Sequence, residues 1–562
     1  MGLEDKLLGV RQAAQQAVWR ARTVGRVALQ TGMHRAMRWS GAQVLARELA
    51  KGKPNASLIF RFYAENDPHK IGLWHRDRAY SFFEINGLMD RIGVALTARG
   101  FVKGTAALIV LKNRPELLLL QAGIGRIGGA AVAVSWRSTA AELVYLGEHS
   151  GSKAVFFDAE IADVVCETLD KLPSIPRENF FSVGGKVEGF ATFDDFLGDS
   201  RGTPPDLSEE AAIVTYTSGT TGKPKGAVRK FSKEAVASAM GFIGETPMRV
   251  GDVHLAVCPL YHATAFGFIS LSYILGATVV LLDEFKPEAF LEAVQRYRVT
   301  TTALVPTMLH RLLELGPAKI RSYDTSSLTA IFSGGAPLPG PLANEVMDVL
   351  GEKLFNFYGA TETGLVTLAQ PADLRASPGT IGRIVPGNEI LLIDEQGKPC
   401  GVDQVGELYV RSPMLVTGYH ADPEATRQSM RDGFFSVGDL ARRDARGCYH
   451  IEGRKRDMII SGGVNVYPAE VEQVLEAHPA IAEVAVVGVE DREWGERVRA
   501  FVVTRPGAEC DESALKAHCR AHLSGPKVPR DYVFLEALPR NPTGKVLKRD
   551  LRDMNVGEGG GR

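Results

Sequence analysis

From residue 55 to 180, short apolar runs alternate with helix-period segments, and this alternation restricts the fold more than any other feature of the sequence. Ala106–Leu111 reads as a strand, Pro115–Ile127 as a helix, Ala130–Ser135 as a strand and Ala140–His149 as a helix. Such a pattern predicts an α/β fold with layered sheets and helices. Gly184–Glu210, rich in Gly, Asp and Pro, reads as a surface connection. Strands resume at Ala211–Tyr216, Thr278–Leu282, Thr301–Val305 and Ala330–Phe332. Residues 379–450 turn β-rich, with short strands Glu389–Ile393 and Glu407–Val410 between turns. After Arg456 comes a compact α+β pattern: helix 468–477, strands 483–489 and 498–504, helix 512–523. The expected organisation is a basic helical segment (1–53), a large region (54–455) of two α/β layers plus the β-rich subdomain, a small α+β domain (456–551) and a tail (552–562).

Composition narrows the function. The chain has 562 residues, 45% hydrophobic and 23% charged, as in ordinary globular proteins. Lys+Arg 65 against Asp+Glu 66 leaves no basic excess for nucleic acid. Six cysteines (166, 258, 400, 448, 510, 519) with no CxxC fit a reducing cytoplasm rather than a disulfide framework. No run nears the roughly 18 apolar residues of a spanning helix. The start lacks the basic and apolar regions of a secretory signal, and Lys6 stands where a myristoylation site needs Ser or Thr. Residues 1–53 carry ten Lys/Arg and three Asp/Glu, with Trp19 and Trp39 among apolar residues at helical spacing. That segment reads either as a helix lying peripherally on the inner face of an anionic membrane or as a lead-in packed on its own domain.

Two motifs mislead. Gly123-Ile124-Gly125-Arg126-Ile127-Gly128 satisfies GxGxxG, yet a helix leads into it and a strand follows, the reverse of a dinucleotide fingerprint. Its glycines are expected to allow close helix packing. His518 and His522 sit at i, i+4 on a predicted helix, but no third metal ligand accompanies them.

Strand Ala211–Tyr216 runs into Thr217-Ser218-Gly219-Thr220-Thr221-Gly222-Lys223-Pro224-Lys225-Gly226. Three glycines, four hydroxyls and two lysines make a phosphate cradle of exposed N–H groups and positive charge. It is not a Walker A loop, because only two residues separate Gly219 from Gly222 and Pro224 follows Lys223. The segment resembles the phosphate loop of the adenylate-forming superfamily, which includes acyl-CoA synthetases, luciferases and adenylation domains. Further resemblances follow in the family's order from about residue 55 to 551. Ser333-Gly334-Gly335-Ala336-Pro337-Leu338 is similar to the adenine-side loop, and Asn356-Phe357-Tyr358-Gly359-Ala360-Thr361-Glu362-Thr363 to the YGxTE motif. Ser436-Val437-Gly438-Asp439-Leu440 resembles the GD motif, with Val437 where Thr is usual. Gly453-Arg454-Lys455-Arg456-Asp457, the loop Ser461–Glu470 and Pro542-Thr543-Gly544-Lys545 resemble the hinge, the following loop and the C-terminal lysine motif.

The resemblance implies an ATP-dependent ligase with a small domain that rotates about Arg456. Glu362 would hold Mg²⁺ against the phosphates, Thr361 would donate to the α-phosphate, and Lys225 would add positive charge. Tyr358 offers a face to adenine, with Asn356, Gly359, Gly335, Ala336 and Pro337 around it. Asp439 would accept the ribose hydroxyls beside Arg454. Lys545 would bridge the acid and α-phosphate oxygens, while Gly462 and Gly463 would border a channel for CoA. Pro259–Gly267 resembles the acyl-pocket segment and has no Asp to pair an amino group. His262, Phe266 and Gly334 are placed at that pocket, with a satisfied core histidine as the competing reading of His262. Coenzyme A as acceptor and a medium- or long-chain fatty acid as substrate are expected. An aryl-acid CoA ligase, an acyl-AMP ligase serving a separate carrier, and a silent nucleotide-binding relative are the alternatives.

Overall fold

The computed structural model describes residues 18–50, 57–204, 212–217, 225–230, 233–419, 422–462, 464–492, 494–508, 510–540 and 546–554. Helix α1 (18–31) buries Thr23, Val27 and Thr31, four apart and so on one face. Val27 packs so closely on Gly244 that a Cβ there would lie 2.9 Å away. Arg20 pairs with Glu234, and the Trp19 ring covers Gly387. The described part of the basic segment therefore packs on its own domain, leaving Val18, Leu29 and Trp39 exposed. Among the described residues no helix is long and apolar enough to cross a membrane.

Four helices frame the site: α2 (Leu58–Asn66), α3 (Phe82–Ala98), α4 (Pro115–Arg126) and, later in the chain, α5 (Lys233–Gly244). Ser81 and Glu84 form a reciprocal capping box that fixes the start of α3. Helix α4 begins with Pro115 at its first turn, where a missing N–H costs nothing. A Cβ at Gly123 would meet Ile92 at 2.7 Å, so the glycines of the GxGxxG stretch serve the contact between α3 and α4. Arg126, also in that stretch, is fully buried and pairs with Asp90 at 2.7 Å and Asn86 at 2.9 Å.

One eight-stranded sheet has the spatial order Ala191–Thr192, Phe180–Val183, Ser152–Asp158, Ala106–Val110, Ala130–Ala133, β1 (Ala212–Thr217), β2 (Lys225–Lys230) and Gly418–Tyr419. Its centre is parallel, with Leu108 opposite Val132 and Val155, and Ala106–Val110 is buried at every position, as a strand covered on both faces must be. A nine-stranded sheet runs Arg78–Ser81, Ile71–His75, Thr278–Leu281, Val253–Ala256, Thr301–Leu304, Ala330–Ser333, β3 (Leu354–Ala360), β4 (Gly364–Ala369) and Arg383–Ile384. Helix α6 (Ala263–Ile274) packs against this sheet and shares one core with α3 and α4, through Met89, Ile92, Leu117, Ile269 and Tyr273. A third sheet joins Glu389–Ile393, Gly406–Arg411, β5 (Phe434–Arg443), Met430–Arg431 and β6 (Tyr449–Arg454), where the β-rich subdomain was expected. The C-terminal domain is built on the long hairpin Ile481–Asp491/Gly495–Thr504, covered by α7 (Pro468–Glu476) and α8 (Glu512–His522).

One expectation needs correction. Gly184–Glu210 is not all loop: Ala191–Thr192 adds an edge strand and Phe193–Leu197 forms a helix capped by Thr192 and Asp195. Burial of Phe193 and Phe196 outweighs the turn-rich composition around them. The hairpin Ile71–Ser81 leaves the first α/β layer and pairs with the second sheet, Leu73 lying opposite Val279. His518 Nε2 meets the Val474 carbonyl at 2.9 Å, and no metal-holding group of three ligands occurs among the described residues.

Candidate active site

Strands β3 and β4 form an antiparallel hairpin whose last pair is Ala360 with Gly364. A Cβ on Gly359 would lie 2.1 Å from the Gly364 carbonyl oxygen, so only glycine allows so tight a crossing. Within the turn the Ala360 N–H donates to Thr363 Oγ1 at 3.1 Å and the Thr363 N–H returns to the Ala360 carbonyl at 3.2 Å. Thr361 and Glu362 are thereby presented together at the end of the sheet. The Glu362 carbonyl accepts from the Val416 N–H at 2.9 Å, and its Oε1 accepts from the Tyr419 hydroxyl at 3.1 Å. Tyr419 pairs in register with Ala227 on β2, so the carboxylate sits beside the strand that leaves the phosphate loop.

Tyr358 projects from β3 and donates to Asp439 Oδ2 at 2.6 Å. On the third sheet Asp439 of β5 stands opposite Arg454 of β6, and Arg454 Nε reaches Asp439 Oδ1 at 3.2 Å. Asp439 is 6% exposed, and a carboxylate that buried requires such partners. Burial and the facing carboxylate push the Tyr358 phenol well above its ordinary range, so it acts as a fixed donor. Three residues predicted from separate motifs thus form one cluster. Asn356 lines the same cavity, but its amide donates to the Thr380 carbonyl at 2.8 Å and ties β3 to the segment before Arg383–Ile384.

The adenine-side loop divides. Gly335, Ala336 and Pro337 line the cleft, and Gly335 adopts φ +80°. Gly334 instead lies behind it, where a Cβ would strike the Phe357 ring at 2.5 Å, so its place in the acyl pocket is not supported. His262 caps α6, and burial holds its imidazole down at about 4. Its Nε2 is buried without a hydrogen-bond partner among the described residues, and its ring lies 4.2 Å from that of Tyr261. Phe266, one turn on, lines the same cavity.

Ser218, Gly219, Thr220, Thr221, Gly222 and Lys223 lie outside the described residues, as do Gly463 and Lys545. The backbones of Thr217 and Lys225 face each other as register partners, so the phosphate loop joins two adjacent strand ends. Arg540 and Val546 likewise form a bridge, and both line the cleft, which brings the two flanks of the lysine loop to it. Arg456 borders the cleft as well. Gly462 does not: its N–H donates to the Trp494 carbonyl at 2.8 Å and a Cβ would meet the indole at 2.5 Å. The predicted channel glycine is thus packed within its own domain in this arrangement. Sequence reasoning missed Tyr419, which lies 57 positions from the carboxylate it holds and belongs to no recognisable motif.

The sequence profile of the AMP-binding enzyme family matches residues 60–420, and that of the AMP-binding enzyme C-terminal domain matches residues 470–545. The chain belongs to this family of adenylate-forming enzymes. It is 32% identical over 506 residues to a fatty acid–[acyl-carrier-protein] ligase of Streptomyces coeruleorubidus, covering 88% of this chain and 96% of that one. A feruloyl-CoA synthase of an Amycolatopsis species is 34% identical over 498 residues, covering 87% and 96%. Among solved structures, the o-succinylbenzoate CoA synthetase of Bacillus subtilis with its acyl-adenylate superposes with a TM-score of 0.78 at 29% identity, covering 90% of this adenylate-forming enzyme and 99% of that chain. The layered α/β body and smaller C-terminal domain are therefore the superfamily's architecture.

Proposed function

We propose that the protein is an ATP-dependent acyl-CoA ligase for aliphatic acids of medium to long chain. The observation that carries this reading is one cavity of about 2740 Å³ lined both by the Tyr358–Asp439–Arg454 cluster with Glu362 and by α6. Helix α6 carries no charged residue, and its partly exposed positions Ala263, Thr264, Phe266, Gly267, Ser270 and Ile274 all line the cavity. At 1.5 Å per residue these positions span about 16 Å, and a saturated chain advancing about 1.25 Å per bond would cover that length with about 13 carbons.

In the first half-reaction a carboxylate oxygen attacks the ATP α-phosphorus and the bond to the bridging oxygen breaks, giving acyl-AMP and pyrophosphate. Carboxylic acids near pKa 4.3 are already ionised, so no general base is needed. The task is to hold two anions together and spread the charge. Asp439 would fix the ribose, Tyr358 would face adenine, Thr361 would donate to the α-phosphate, and Lys225 and Lys545 would neutralise oxygens. Magnesium binds through one or two carboxylates plus substrate phosphates, and Glu362 braced by Tyr419 fits that donor set. The ion would supply charge neutralisation at the phosphates. In the second half-reaction the CoA thiolate adds to the acyl carbon and AMP leaves. Aryl acids and carrier-bound thiols are the competing substrates, because named relatives act on both kinds of acid and acceptor.

The deciding experiment measures acid-dependent ATP–pyrophosphate exchange, then AMP release with CoA, over aliphatic and aryl acids. Exchange with alkyl acids and CoA-dependent turnover is expected. Exchange with aryl acids alone overturns the aliphatic assignment, and no exchange with any acid overturns the enzyme. Lys545→Ala is expected to abolish exchange while largely sparing thioester formation from supplied acyl-AMP.

A further inference from the structure

Exposed apolar surface is concentrated in residues 18–39. Of the twelve large apolar side chains exposed among the described residues, five fall there: Val18, Val24, Leu29, Met37 and Trp39. Three of them mark the corner where α1 ends: Leu29 is 66% exposed, Met37 42% and Trp39 78%. The single turn Met33–Ala36 at that corner buries none of its residues, and Gly32, at φ +84°, lets the chain turn away from α1. The opposite side of α1 is already committed, since Thr23, Val27 and Thr31 pack inward. Single exposed apolar residues are ordinary, whereas a local concentration of them marks a contact.

Charge indicates what makes that contact. From Lys6 to Arg47 the sequence holds eight Lys or Arg and no Asp or Glu, in a chain whose formal charge is -1. Arg20, Arg26 and Arg38 pair with Glu234, Glu245 and Asp67, whereas Arg22 and Arg35, both exposed, have no ion pair among the described residues. A second copy of the chain would set cation against cation. A bilayer containing anionic lipid satisfies both features at once: its phosphates attract arginine, and its headgroup zone takes up tryptophan and aliphatic side chains.

We infer that the corner from Leu29 to Trp39 docks on the surface of an anionic phospholipid bilayer, with Leu29, Met37 and Trp39 among the headgroups and Arg22 and Arg35 at lipid phosphates. The contact is peripheral, made by side chains of a segment whose other face stays packed on the protein. The corner is tied to the wall of the large cavity through α2. Asn66 accepts from the Arg38 N–H at 2.7 Å and donates to the Ala36 carbonyl at 3.0 Å. In the helix Trp39–Ala50, a Cβ at Gly41 would lie 2.8 Å from the Phe62 ring. Ser57, Ile59 and Phe60, at the other end of α2, line the cavity. Aliphatic acids partition into bilayers, so docking would hold the cavity beside its substrate; that consequence, unlike the docking itself, rests on the aliphatic reading above.

The test is vesicle sedimentation of the full chain, without acid or nucleotide, using phosphatidylcholine vesicles alone or with about one-third phosphatidylglycerol. Binding to the anionic vesicles is expected to be about tenfold or more tighter than to the neutral ones, and to weaken between about 0.1 M and about 0.5 M salt. Arg35→Gln should lower the partition about fivefold at low salt and leave it unchanged at high salt. Trp39→Ser should lower it about tenfold at both. Neither variant should change ATP–pyrophosphate exchange in free solution or the melting temperature, because both side chains are exposed. If Trp39→Ser does not fold, Leu29→Ser takes its place. Equal affinity for neutral and anionic vesicles, no sedimentation with either, or wild-type binding by both variants would overturn the inference. So would a concentration-dependent dimer that Trp39→Ser dissolves, or binding to a DNA duplex but not to anionic vesicles. None of these outcomes involves acid activation, so the proposed function stands or falls separately.

Discussion

At the residue scale the site depends on a few buried polar contacts, each with a measurable consequence. The Tyr358 hydroxyl donates to Asp439 at 2.6 Å, and a hydrogen bond to a carboxylate contributes about 1.5–3 kcal/mol. Tyr358→Phe should therefore raise KM for ATP about tenfold or more, with a smaller effect on KM for the acid. Burial holds His262 at about 4, against an ordinary 6.5. Between those values the unfolded chain binds a proton that the folded chain refuses, so stability from this group is full above 6.5 and is lost as pH falls toward 4. Thermal melts at pH 7 and 4.5 should show His262→Phe losing less stability on acidification than the wild type does. Tyr358, Asp439 and Arg454 were legible in the sequence because each sits in a short motif with its own chemistry. Tyr419 was not, since nothing local marks a phenol whose partner lies across the fold.

At the element scale, turns and helix faces set the geometry. Gly359→Ala would force the β3–β4 crossing apart, because the new methyl has only 2.1 Å to the Gly364 carbonyl oxygen. A loss of about 3 kcal/mol or more, seen in denaturant titration, is expected along with a collapse of exchange activity as Thr361 and Glu362 move. On α7, Glu476 has its carboxyl raised to about 8 by burial first and by neighbouring Glu472 next. A group protonated in the fold and ionised when unfolded destabilises increasingly as pH rises from its ordinary 4.5 toward 8. Glu476→Gln should thus gain stability over the wild type across that window and show no gain at pH 4. Most strands and helices could be read from periodicity: helix 468–477 was expected and Pro468–Glu476 is seen. The strand and helix within Gly184–Glu210 could not, because the tertiary burial of two phenylalanines decides them.

At the scale of the whole molecule, two domains enclose one cleft. Both flanks of the 541–545 loop reach it, while Gly462 is packed on Trp494. If the small domain turns about Arg456 between the two steps, Arg456→Pro, which fixes φ at that residue, should keep exchange and slow thioester formation by about a hundredfold in single-turnover assays. The domain order was readable from the sequence of motifs. The pose was not, since it depends on contacts between distant surfaces such as Asn465 Nδ2 with Glu395 at 2.6 Å.

Helix α1 clasps Glu234 and Gly244 on α5 with one side and Gly387 with its Trp19 ring, so it splints the helix that follows the glycine-threonine hairpin to the threshold of the third sheet. Shortening the chain to begin at residue 32 would strip that splint and wet Met240 and Ile243. The first symptom would be a weakened grip on triphosphate, appearing at temperatures where the rest of the body still holds its shape.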